Sequence, residues 1–188
     1  MVTDTRSQLL QSAERLVRSR GYSAFSYADL SAEVGIRKAS IHHHFPAKSD
    51  LGLALVEDYQ QRFRTLLADI ERAHPDSAER LRAYGALYAA GLRDGQLCLC
   101  GMLASNAAAL PNALRRPVGR FFEEQRDWLE RVVAAGQRAR ELRGGRPPRA
   151  VAESLLALLQ GASLVGWSLQ DPGAVERALE DALAGLLR

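Results

Sequence analysis

Residues 39–50 read ASIHHHFPAKSD, and the run His42, His43, His44 is the densest set of chemically able side chains in the sequence. Three imidazoles in a row allow metal ligation, acid–base catalysis or hydrogen bonding to an anion. Consecutive residues on a helix point about 100° apart, so the three cannot converge on one metal ion. Glu71 and His74, in ERAH, form one Glu-x-x-His of the kind that di-iron bundles use in pairs, and the sequence has no second copy. Catalysis would need a base, an orienting carboxylate and a nucleophile close together. The nearby acids, Asp29, Glu33 and Asp50, suit capping or surface roles instead. Anion binding fits the surroundings best, because residues 37–48 hold Arg37, Lys38, Lys48 and the three histidines with no acid among them. No metal, cofactor or catalytic centre is expected, and the competing reading is a helical metal-binding or enzymatic bundle.

Elements must exist to present these groups. Leu9, Ala13, Leu16 and Val17 recur at helical spacing over residues 3–20, and Gly21 follows as a stop. Ser26, with Asp29 three residues on, forms an N-cap signature for a short helix running to Val34. Gly35 breaks that helix. A second short helix over residues 37–44 turns Ile41 inward, and Pro46 ends it. Two short helices around a glycine turn, covered by a longer helix, make a helix-turn-helix, locked by Leu30, Val34, Ile36 and Ile41. Its exposed side carries Arg37, Lys38, Ser40, His42 and His43, a set able to enter a major groove.

Beyond Lys48 the periodicity lengthens, with Leu51, Leu55, Tyr59, Phe63, Leu66, Leu67 and Ile70 falling on one face until Pro75 interrupts. Further helices are expected over residues 77–93, 98–109, 112–142, 148–170 and 173–187, separated by RDGQ, LPN, RGGRPP and QDPG. The fold class is all-α. The expected division is a DNA-binding domain over 1–47 and a larger helical domain over 48–188.

The 25 basic and 22 acidic residues leave a net charge of +3, too little by itself to announce a nucleic-acid partner, so local distribution decides. A 47% apolar content excludes a disordered chain. The opening MVTDTRSQLL is charged where a signal peptide needs an apolar run, which predicts a cytoplasmic address. The longest uncharged run, residues 154–170, is short for a bilayer span and interrupted by Ser, Gln and Gly. It predicts a helix buried against protein, with no membrane partner.

The segment YADLSAEVGIRKASIHHHFPAKSDL resembles the N-terminal signature of the TetR family of one-component transcriptional regulators. Gly35 to Phe45 and Lys48 to Leu51 occupy the places of its Gly-Val-Ser-Lys-Gly-Thr-Leu-Tyr-His-His-Phe-like run and its Lys before an acidic-apolar pair. Arg37 stands where that family usually has a capping Ser or Thr, and His42 replaces a Tyr. The resemblance implies a ligand-responsive repressor that binds palindromic double-stranded DNA as a homodimer. Lys48, Ser26, Tyr27 and His42 are expected to meet phosphates, and Arg37, Lys38, Ser40 and His43 the groove. A histidine at a phosphate predicts operator affinity rising between about pH 7.5 and 6.

The same resemblance places a small-molecule effector between the helix after Lys48 and the central helices. The large side chains able to line such a cavity are Tyr59, Phe63, Tyr84, Tyr88, Met102, Phe121, Phe122, Trp128 and Trp167. Cys98 and Cys100 read as a helix start, where the dipole lowers a thiol's pKa, so they are either a sensor for electrophiles or two buried hydrophobes. The two last long helices carry Leu155, Leu158, Leu159, Leu164, Val165, Trp167, Leu179 and Leu183 beside small residues such as Gly161 and Gly166. They are the expected dimer seam.

Overall fold

A computed structural model describes residues 4–187; Thr3, where the first helix was expected to begin, lies outside them. Among the described residues there are nine helices and no strand: α1 Thr5–Arg20, α2 Tyr27–Val34, α3 Lys38–His44, α4 Lys48–Ala73, α5 Ser77–Arg93, α6 Leu99–Ser105, α7 Asn112–Ala139, α8 Pro148–Leu169 and α9 Ala174–Leu186. The chain is all-α, as its composition predicts. It forms two compact units: one holds the chain up to Arg62 together with Cys98–Phe121, and the other holds Phe63–Leu97 and the chain from Phe122 onward. The division therefore falls inside α4 and α7.

In the first unit, α1 buries Leu9, Ala13, Leu16 and Val17, the apolar stripe read from its spacing. Ser26 caps α2 by accepting from the amides of Ala28 and Asp29, while Asp29 returns a carboxylate to the Ser26 amide at 2.7 Å, a complete capping box. Gly35 ends α2 at φ +76°, a left-handed conformation that side-chain-bearing residues rarely adopt, and its N–H reaches Ser31 O. That turn aims α3. Leu30 and Ile41 are fully buried, so α2 and α3 lock through one apolar residue each, aided by Phe45 just past the end of α3.

In the second unit, α5, α8 and α9 pack on one another. Asp76 caps α5 by accepting from the Glu79 amide at 2.7 Å. Gly85 permits close helix approach: a Cβ there would stand 2.2 Å from Leu179 Cδ2. Leu155, Leu159, Leu179 and Leu183 are core residues here, which removes them from the expected dimer seam. Leu164, Val165, Trp167 and Leu169 stay exposed, and Leu158 is half-buried. By length and composition α8 would suffice to cross a membrane, because it gathers apolar residues from Pro148 onward rather than only the uncharged run. One of its faces, with Val151, Ala152, Leu155 and Leu159, is buried in protein.

Two helices are shorter than their periodicity suggests. Ala107, Ala108 and Ala109 favour helix, yet α6 stops at Ser105, because the Asn106 side chain takes the Met102 carbonyl at 3.1 Å and Pro111 follows. α7 stops at Ala139, where Arg140 turns at φ +62° and carries Leu142 into an isolated bridge with Leu187.

Candidate nucleic-acid interface

Helix α3 has seven residues, and its N-cap, Arg37, makes no side-chain capping bond. Ile41 alone is buried, and Arg37, Lys38, Ala39, Ser40, His42 and His43 all face solvent. The exposed face thus offers a guanidinium, an ammonium, a hydroxyl and two imidazoles. The acids around it are engaged elsewhere. Glu33 pairs with Arg15 at 2.6 Å, Asp50 accepts from the Ala47 amide at 2.9 Å, and Asp29 belongs to the capping box. The Ser26 hydroxyl and amide hold the Asp29 carboxyl below its ordinary pKa. Such a face suits a polyanion, with donors for phosphates and for base edges.

The eight residues singled out for DNA separate into two sets. Arg37, Lys38, Ser40, His42 and His43 lie together on the exposed face of α3. Ser26, Tyr27 and Lys48 face the protein's own groups instead. The Ser26 hydroxyl is taken up by the capping box, also donating to Asp29 at 2.7 Å. Tyr27 donates its hydroxyl to Phe45 O at 2.8 Å and sets its ring edge-on to His42 at 4.9 Å. Burial, with the nearby Asp50 charge, pushes the Tyr27 phenol up to about 12, so it stays protonated and donating.

Lys48 departs most from the expectation of a free phosphate ligand. Its ammonium donates to Tyr22 O at 2.6 Å and to Phe25 O, and lies over both rings at 4.6 and 4.2 Å. Tyr22 returns its hydroxyl to Lys48 O at 3.0 Å. Desolvation lowers the Lys48 pKa, opposed by the nearby Asp29 charge. An ammonium has three donors, and the turn before α2 takes two of them. The physical reason is local: two backbone carbonyls and two ring faces converge where the side chain emerges. Tyr22 and Phe25 were missed from sequence, since a carbonyl acceptor leaves no residue-type signature.

His42 places Nδ1 at 3.2 Å from Pro46 O. A carbonyl only accepts, so that nitrogen carries the hydrogen, leaving Nε2 an acceptor when the ring is neutral and a donor when it is charged. His44 is half-buried between His43 and Phe45, with ring centroids at 5.5 and 6.5 Å.

A family model described as bacterial regulatory proteins, tetR family, matches residues 9–55, and one described as tetracyclin repressor-like, C-terminal domain, matches residues 77–182. The chain belongs to the TetR family. A solved TetR family transcriptional regulator from Agrobacterium tumefaciens is similar at 36% identity, with 97% of both chains covered and a TM-score of 0.94. The HTH-type transcriptional repressor DhaR of Mycobacterium sp. (strain GP1) is 29% identical over 163 residues, 86% of this chain and 82% of DhaR. The transcriptional regulator AcuR of Cereibacter sphaeroides is 28% identical over 163 residues, 83% of this chain and 73% of AcuR. This TetR family member is a DNA-binding, ligand-responsive transcriptional regulator, and a metal-binding or enzymatic bundle is not the favoured reading.

The residues expected around a TetR family effector fall in both units. In the first, Tyr59 and Phe121 are buried with ring centroids 5.4 Å apart, Cys98 and Cys100 are buried, and Met102 is half-buried. The Arg18 and Arg62 guanidiniums lie over the Tyr59 ring at 5.8 and 5.5 Å. In the second, Phe63, Tyr84, Tyr88 and Trp128 are buried, with Tyr84 stacked on Trp128 at 5.4 Å. Trp167 parts from them: it is 48% exposed, on the rim of α8. Of the two readings of the cysteines, burial matches that of two small buried hydrophobes. Burial, then the charges of Cys98 and Glu14, pushes Cys100 well above the ordinary thiol range, because desolvation outweighs the dipole of so short a helix.

Proposed function

We propose that the chain is a repressor that binds an inverted-repeat operator as a two-fold dimer and is released by a small-molecule effector. One observation carries this reading: the exposed face of α3 joins Arg37, Lys38, Ser40, His42 and His43, while the surrounding carboxylates are paired or capped. Arg37, Lys38, Ser40 and His43 read base edges and nearby phosphates, and His42 meets a phosphate. Ser26, Tyr27 and Lys48 act through α3 by holding it in place. Residues 1–47 are the reading head and residues 48–188 the effector-binding and dimerisation part. No catalytic activity is assigned.

The dimer seam is the exposed face of α8, where Ala157, Gly161, Leu164, Val165 and Ser168 recur at helical spacing beside Leu169 and Trp167. A solvent-facing stripe of this kind is unfavourable in water and is removed by pairing with a second copy. This accounts for the apolar length of α8 better than a membrane span does, since its other face is already filled by protein. The address is cytoplasmic, where the operator is. The test is footprinting of the purified protein across genomic DNA at low salt. Protection of an inverted repeat is the expected result, with half-sites about one helical turn apart or a multiple of it. Absence of retardation on every duplex would reject the reading.

A further inference from the structure

Helix α1 carries four arginines, Arg6, Arg15, Arg18 and Arg20. Arg15 pairs with Glu33 at 2.6 Å, Arg18 pairs with Glu14 at 3.1 Å, and Arg20 lies close enough to the Asp29 carboxylate to interact with it. Arg6 differs from all three. It is exposed, and among the described residues it forms no ion pair, Asp4 two positions before it included. Its contact is with a ring instead: the guanidinium carbon lies 5.4 Å from the ring centroid of Phe45. Phe45 is the residue on which α3 ends, and it is 3% exposed, so the surface that seats Arg6 is fixed by the core.

A guanidinium over an aromatic ring is held by the ring's electron-rich face, while its N–H donors stay available at its edges. Those donors form a planar fork that matches two oxygens of a phosphate. Seating on the ring also leaves the side chain fewer rotamers to lose when an anion arrives. The place of this fork follows from a short series of ring contacts. Arg6 lies over Phe45, Phe45 is 6.5 Å from His44, and His44 is 5.5 Å from His43 on the exposed face of α3. Arg37 and Lys38 stand at the other end of α3, whose seven residues span about 10 Å. The C-terminal end of a helix presents carbonyl oxygens, which repel phosphate. Arg6 brings a cation to that end from a different helix.

We propose that Arg6 is a DNA-backbone ligand: its guanidinium, seated on Phe45, binds a phosphate that flanks the bases read by α3. This rests on the reading of α3 as the DNA-facing helix and adds an anchor from α1, outside the helix-turn-helix itself. The contact sets the pose of the reading head and carries no sequence information of its own. Sequence alone did not single Arg6 out, because it is one of four arginines on α1 and the ring beneath it is what sets it apart.

The test is anisotropy titration of the full chain at several salt concentrations, on the footprinted operator and on a scrambled duplex of equal length, with wild type, Arg6→Gln and Arg6→Lys matched for helix content. Arg6→Gln should weaken both duplexes by a similar factor, roughly tenfold per head, and should lower the salt slope by about one per head. Arg6→Lys keeps the charge, so it should hold the wild-type slope while recovering part of the affinity, since an ammonium lacks the planar fork. An Arg6 that merely props Phe45 would cost operator affinity without moving the slope. The proposal is overturned by an unchanged slope in Arg6→Gln, by a loss confined to the operator, or by a slope in Arg6→Lys as low as in Arg6→Gln. Wild type that binds no duplex would remove the reading of α3 and this inference with it; wild-type binding with an unmoved slope in Arg6→Gln removes Arg6 alone.

Discussion

Tyr27→Phe removes one hydroxyl and nothing else, at a residue buried enough that its ring keeps its place. The hydroxyl donates to Phe45 O at 2.8 Å, just where the chain leaves α3, and the ring abuts His42 at 4.9 Å. Losing one such bond costs about 1 kcal/mol, and here the Phe45 carbonyl loses its donor. If α3 must be in place before DNA is met, each reading head loses about 1 kcal/mol of binding and a two-headed dimer about 2 kcal/mol, or roughly thirtyfold in Kd. The same hydroxyl sets a pH signature. Its pKa is raised from about 10 in the unfolded chain to about 12 in the folded one. Between those values the folded state keeps a proton that the unfolded state releases, so the stability slope with pH is negative and stability falls as pH rises from about 10 toward 12. Tyr22, also raised by burial, adds in the same direction, so the difference between wild type and Tyr27→Phe isolates this residue. Denaturant melts from neutral to alkaline pH and operator anisotropy titrations at neutral pH read both effects. A variant that melts like wild type would show that the bond carries nothing. Lowered stability with wild-type operator affinity would refute the claim that Tyr27 sets the pose of α3.

Gly85→Ala should destabilise the second unit by about 1–3 kcal/mol in denaturant melts, because the new Cβ would meet Leu179 Cδ2 at 2.2 Å; if overlap is the cause, Leu179→Ala in that background costs less than it does alone. Leu164→Asp, placed on a side chain 48% exposed in one copy, should leave a folded helical chain that sediments as a monomer and binds a full inverted repeat little better than a half-site; a persistent dimer would move the seam elsewhere. His42→Ala should weaken operator binding with helix content unchanged, and an affinity equal to wild type would remove that residue from the phosphate. Cys100, with its thiol pKa raised by burial, should alkylate slowly in the folded chain, and Cys98→Ser and Cys100→Ser should release DNA with an electrophile as wild type does; a lost response in either would restore a thiol sensor.

How much was legible in the sequence varied with the kind of interaction. The all-α fold, the Ser26 cap and the solvent-facing chemistry of α3 follow from spacing and residue type, because burying Ile41 leaves every polar neighbour on the other side. The end of α6 was hidden by three alanines, since a single Asn106 side chain competing for one carbonyl outweighs their propensity. Leu155, Leu159, Leu179 and Leu183, expected at the seam, lie in the core, because a stripe of large apolar residues on α8 or α9 reads alike whether it faces its own core or a partner.

The parting of Lys48, Ser26 and Tyr27 from the DNA-facing set has a physical basis in the size of α3. A seven-residue helix with no side-chain cap is far too short to be stable alone, since nucleation dominates its free energy. Its orientation must come from outside, and only Ile41 and Phe45 anchor it by apolar burial. The remaining constraint is polar: Tyr27 on the Phe45 carbonyl, His42 on the Pro46 carbonyl, and Lys48 clamped reciprocally to Tyr22 where α4 begins. A lysine with two of its three donors taken in this way holds the turn before α2 to the start of α4, and α3 lies between them in the chain. Removing it with Lys48→Met should therefore weaken operator binding without the reduced salt slope that loss of a phosphate contact brings; a slope lowered by about one per head would return Lys48 to the DNA.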